Sequence, residues 1–83
     1  MKVRYFASVR ERIGLSEEDV APPSEVSTVG DLIAWLSRRG EGYATAFTDA
    51  AKVRAALDQT HARLDAPIGS AREIAFFPPM TGG

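Results

Sequence analysis

Apolar and polar residues alternate over residues 1–7, with Val3, Tyr5 and Ala7 on one side and Lys2, Arg4 and Phe6 on the other. Period two with branched and aromatic residues predicts a strand with one buried face. Ser8 is placed to N-cap a short helix that reaches Ile13, and Gly14 supplies its stop. Residues 15–21 make a weaker strand candidate, closed by the turn at Pro22-Pro23-Ser24. The adjacent carboxylates Glu17, Glu18 and Asp19 read as a solvated edge, because three in a row on an extended strand do not converge on one ion. The period then becomes helical. Val29, Leu32, Ile33 and Leu36 recur at three- and four-residue spacing as one apolar stripe. Thr28 to Asp31 has the spacing of a capping box, with Asp in place of Glu or Gln. Arg38 and Arg39 fall in the expected last turn, Gly40 in the stop position, and Trp35 at the core margin. A second short helical segment is expected over residues 43–47.

Period two returns after Lys52, with Val53, Ala55 and Leu57 facing inward. Asp58-Gln59-Thr60 supplies a turn, and residues 61–64 come back with Ala62 and Leu64 inward. Asp65-Ala66-Pro67 breaks the run, Ile68 packs, Gly69-Ser70 opens a loop, and Glu73–Phe77 forms the last strand. The order predicts an α+β fold, one mixed β-sheet packed on one main helix. Residues 1–77 form the domain, and residues 78–83 an extended C-terminal tail.

The same alternation populates the outer face of the sheet with Lys2, Arg4, Phe6, Glu73, Ala75, Phe77, His61 and Arg63. Phe6 and Phe77 thus stand among charges on a face that meets water, as anchors of protein interfaces do. His61 shares that face as a rim contact. The assignment depends on register, since a slip of one residue would bury both rings.

Composition narrows the chemistry. The 83 residues make one small domain, and a net charge of −1 carries no nucleic-acid footprint. No stretch approaches a membrane span and no signal-peptide pattern opens the chain, so a cytoplasmic location is expected. The absence of cysteine excludes disulfides, thiolate metal sites and a thiol nucleophile, and there is a single histidine. The chain is therefore expected to bring a group to another protein's active site, with no metal and no bound cofactor of its own.

That group is at the C-terminus. Ile74-Ala75-Phe76-Phe77 runs directly into Pro78-Pro79-Met80-Thr81-Gly82-Gly83. Two prolines fix φ and remove two N–H donors, so the segment cannot continue as an ordinary strand. Two final glycines have no Cβ, so they fit a channel too narrow for other residues and leave the last carbonyl open to a nucleophile. Fully extended, the tail reaches on the order of 20 Å.

These residues carry a resemblance. The segment from Ala75 to Gly83 resembles the end of the molybdopterin synthase small-subunit family. The opening from Lys2 to Glu11, the Thr28-Val29-Gly30-Asp31-Leu32 segment and Asp58-Gln59-Thr60 line up with that family in order, so the likeness spans nearly the whole chain. The resemblance implies a ubiquitin-like β-grasp fold with a flexible Gly-Gly tail. It implies that the carboxylate of Gly83 is adenylated by a separate zinc-containing activating enzyme that consumes ATP. A persulfide donor protein then converts it to a thiocarboxylate. Met80, Thr81 and Gly82 would thread into the large subunit's active site, where sulfur passes to cyclic pyranopterin monophosphate within a heterotetramer. The small subunit would be a non-catalytic co-substrate. Three positions depart from the family pattern: Asp58 where Asn is frequent, His61 where relatives often carry an apolar residue, and Ser70-Ala71-Arg72 before the last strand. Rival readings share the tail: a sulfur carrier for thiamine-thiazole or cysteine synthesis, a ubiquitin-like modifier of lysines, and a ubiquitin-like binding module with an inert tail.

Overall fold

The computed structural model describes residues 1–79. Strand β1 (Lys2–Tyr5) leads into helix α1 (Ala7–Ile13), strand β2 (Glu17–Asp19), helix α2 (Val29–Ser37) and helix α3 (Glu41–Ala46). After a 3-10 turn at Ala50–Lys52 come β3 (Arg54–Leu57), β4 (Thr60–Ala62) and β5 (Glu73–Phe77). The five strands form one sheet in the order β2-β1-β5-β3-β4. The central pair β1 and β5 is parallel, Val3 opposite Ile74 and Tyr5 opposite Phe76; the other pairs are antiparallel. This mixed sheet with α2 across its inner face is the expected β-grasp.

Alternation dictates the core. Val3, Tyr5, Ile74, Phe76 and Ala55 turn inward and meet Val29, Leu32, Ile33 and Leu36 of α2, all buried. Each large side chain among them contributes about 1.5–3 kcal/mol by leaving water. The Phe76 ring lies between Tyr5, stacked at 6.4 Å, and Phe47, edge-on at 5.2 Å. The capping box forms as the sequence predicts. Asp31 N–H donates to Thr28 Oγ1 at 3.1 Å, and Thr28 N–H donates to Asp31 Oδ2 at 3.2 Å. Gly42 lets α3 lie against the end of α1, where a Cβ would sit 2.5 Å from the Arg12 carbonyl oxygen.

Several boundaries differ from the expectations. Helix α1 starts at Ala7, and Ser8 lies inside it; the Phe6 carbonyl accepts the first helical bonds, from Val9 and Arg10 N–H. Gly14 does close α1, at φ 88°. Helix α2 ends at Ser37, so Arg38 is its C-cap and neither Arg38 nor Arg39 lies in the last turn. Gly40 is the N-cap of α3, its carbonyl accepting from Ala44 N–H. Leu64 does not turn inward: it is 38% exposed. Strand pairing stops at Ala62, and the Arg63 and Leu64 carbonyls accept from Ala66 and Gly30 N–H, which turns the chain out of the sheet. Glu18 is not a solvated edge residue. It lies opposite Val3 on the inner side of β2 and accepts hydrogen bonds from the hydroxyls of Tyr5 (2.8 Å) and Tyr43 (2.7 Å). Arg39 pairs with the same carboxylate at 3.3 Å and lies over the rings of Trp35 and Tyr43. Burial and this carboxylate push both phenols above their ordinary range.

Candidate functional site

Strand β5 sits in the middle of the sheet, hydrogen-bonded on both sides. Adjacent residues on β5 serve opposite faces. Phe76 is fully buried, whereas Phe77 is partly exposed on the outer face. Pro78 and Pro79 follow it, also partly exposed.

Of the three expected interface residues, His61 and Phe77 meet, while Phe6 is exposed at the end of β1 under Arg4. Phe6 is 41% exposed; its N–H donates to the Phe76 carbonyl at 3.1 Å, the bond that closes the Tyr5–Phe76 pair at the end of β1. Arg4 lies over the Phe6 ring at 5.4 Å. His61 is exposed on β4 and meets Phe77 edge to face, ring centres 5.6 Å apart. An aromatic contact of this geometry is worth about 0.5–1.5 kcal/mol, and it holds the Phe77 ring in place. Met80, Thr81, Gly82 and Gly83, the expected threaded and reacting residues, lie outside the described residues.

One functional candidate escaped the sequence reading. Arg54 is the register partner of Phe77 across β3 and β5, exposed at the root of the tail. The alternation of Val53, Ala55 and Leu57 already turned Arg54 outward, but only the strand order placed it beside Phe77. A groove of about 570 Å³ opens at this end of β3 and β4, with Arg54, His61, Arg63 and Asp65 among its lining residues. Among the described residues, no three His, Asp or Glu side chains gather into a metal site. No described helix is long and apolar enough to cross a membrane.

The hairpin beside the site is tied to β5. Asp58 and Gln59 both take positive φ, 45° and 71°, as a tight two-residue hairpin turn requires. Asp58 Oδ1 then accepts from the N–H groups of Arg72 (3.0 Å) and Glu73 (3.1 Å), fixing where β5 begins. Asp fills this turn role, for which Asp and Asn are similarly suited.

Comparison with known proteins agrees with this geometry. The molybdopterin synthase sulfur carrier subunit of Escherichia coli is 39% identical over 83 residues, covering 100% of this chain and 99% of that protein. The subunit of the same name from Haemophilus influenzae is 32% identical with the same coverage. A solved Pyrococcus furiosus structure, provisionally named molybdopterin converting factor, subunit 1, superposes with a TM-score of 0.73 at 28% identity, covering 94% of each chain. The model of the ThiS family matches residues 3–83, from the first core position of β1 through the terminal glycine, and the chain belongs to that family.

Proposed function

We propose that this chain is the sulfur carrier subunit of a molybdopterin synthase and that its reacting group is the carboxylate of Gly83. The observation that carries the reading is the course of β5: a rigid central strand ends in Phe77 on an exposed aromatic face and runs straight into Pro78 and Pro79. A partner that docks on Phe6, Phe77 and His61 therefore receives the tail in one direction. Full-length relatives named as molybdopterin synthase sulfur carrier subunits support the same cargo.

The chemistry follows from the carboxylate. An ionised carboxylate is a poor acyl donor, because its oxygen is a poor leaving group. Attack of that oxygen on the α-phosphorus of ATP, in a separate activating enzyme, releases pyrophosphate and leaves an acyl-adenylate. A persulfide sulfur from the donor protein displaces AMP, and a thiol that cleaves the S–S bond leaves the thiocarboxylate. Met80, Thr81 and Gly82 then carry this sulfur nucleophile into the large subunit, where it attacks cyclic pyranopterin monophosphate. A dithiolene contains two sulfurs, so two loaded carriers serve each product, which suits a heterotetramer with two small subunits. The domain of residues 1–77 docks and the segment 78–83 delivers. The chain is a co-substrate without catalytic side chains of its own, working in the cytoplasm.

The test is the intact mass of the chain after incubation with ATP, the activating enzyme and a sulfur donor. The expected result is a shift equal to one sulfur-for-oxygen exchange, absent when Gly83 is deleted. No shift, with an activating enzyme competent on another carrier, would overturn the proposal and leave a binding module with an inert tail. The ThiS family match also accommodates a carrier serving another sulfur acceptor. Copurification with a molybdopterin synthase large subunit separates the two.

A further inference from the structure

Charge is distributed unevenly over the outer face of the sheet. Toward β2 the cations are matched: Lys2 lies 3.6 Å from Glu17 and Arg4 lies 3.9 Å from Glu73. At the root of the tail they are not. Among the described residues Arg54 has no carboxylate within ion-pair distance. Arg63 reaches, among the described residues, only Asp65, at 3.8 Å, with both side chains almost fully exposed. Such a pair contributes little. Arg54 on β3 and Arg63, the residue that follows β4, line the same groove, together with Asp65. His61 stands on the same side, its ring against Phe77. The chain as a whole has net charge −1, so this cationic corner runs against its overall balance.

We propose that Arg54 and Arg63 are partner-specificity residues: the protein that receives the tail presents carboxylates around an apolar socket for Phe77, and these two arginines steer and orient the docking. The inference rests on the carrier reading above and adds the chemistry of the opposing surface. The aromatic pair Phe77 and His61 supplies the centre of the contact, and the arginines supply its rim. Two rim cations beside an aromatic centre on an acidic chain suit an acidic protein surface better than a polyanion backbone, which asks for a longer basic track. Rim charges act chiefly on the association rate and its salt dependence, and reject partners of the wrong sign.

The experiment measures association of the full chain with the purified large subunit. Salt is varied from about 10 mM to about 1 M, over which the screening length falls from ~30 to ~3 Å. The chains compared are the wild type, Arg54→Glu with Arg63→Glu, the neutral pair Arg54→Gln with Arg63→Gln, and Arg38→Glu as a control at the end of α2. Circular dichroism verifies that each variant is folded. The double reversal is expected to slow association about tenfold or more at low salt, within the range that steering provides. The neutral pair should fall between, the control should stay near wild type, and all should converge at high salt. Rates for both arginine pairs that match the control would overturn this inference alone. A wild-type chain that fails to bind the large subunit would overturn the carrier reading, and this inference with it.

Discussion

Phe76 and Phe77 are chemically identical neighbours on one strand with opposite tasks, so replacing each by Ala separates core from interface. Phe76 is fully buried between Tyr5 and Phe47. Its truncation leaves a cavity in the centre of the sheet and should cost about 3–5 kcal/mol. A domain of this size has roughly 4–12 kcal/mol of stability in total, so Phe76→Ala stands near the edge of folding. Phe77 is only partly buried, and among the described residues its one aromatic neighbour is His61. Partial burial is worth about 1 kcal/mol, and the edge-to-face contact adds about 0.5–1.5 kcal/mol. At 4–8 °C of melting temperature per kcal/mol for a small domain, Phe76→Ala should lose roughly 12–40 °C and Phe77→Ala roughly 6–20 °C. Binding should rank the other way. Truncating an aromatic anchor costs about 2 kcal/mol or more at an interface, roughly thirtyfold in Kd. Thermal melts by circular dichroism and titration against the large subunit measure the two quantities. A Phe77→Ala chain that melts as low as Phe76→Ala while keeping wild-type affinity would refute the reasoning and place Phe77 in the core.

Two further outcomes test the scaffold. Tyr5 and Tyr43 both hold their protons above the ordinary tyrosine value of 10.0, through burial first and then hydrogen bonding to Glu18. The unfolded chain releases those protons near that value while the folded chain keeps them, so the unfolded state binds fewer protons and stability falls as pH rises above about 10. Urea midpoints from pH 8 upward should show this decline, with phenolate absorbance from Tyr5 appearing only on unfolding; Tyr5→Phe should flatten the alkaline slope, and an unchanged slope would sink the assignment. Thr28→Ala removes the cap at the start of α2 and should cost about 1 kcal/mol in a urea melt, whereas Thr28→Ser should restore most of it; equal losses in both variants would show that the hydroxyl does not cap the helix.

The local elements were legible because their signals are local. The stripe Val29-Leu32-Ile33-Leu36, the Thr28–Asp31 box, the Gly14 stop and the β5 limits each depend on residues a few positions apart, and each appears where the pattern puts it. The outward placement of Phe6, His61 and Phe77 follows from period two once one register is set. Tertiary structure decided what depends on neighbours distant in sequence. Glu18 looked like one of three solvated carboxylates, but β1 turns it toward Tyr5, and α3 brings Tyr43 to the same oxygen. Arg39 looked like a helix-end cation, but the chain turns after Ser37 and delivers it to Glu18. Leu64 carried an inward signal that ended when Gly30 took its carbonyl. Arg54 alternated outward in the sequence, but the order β1-β5-β3-β4 alone set it opposite Phe77.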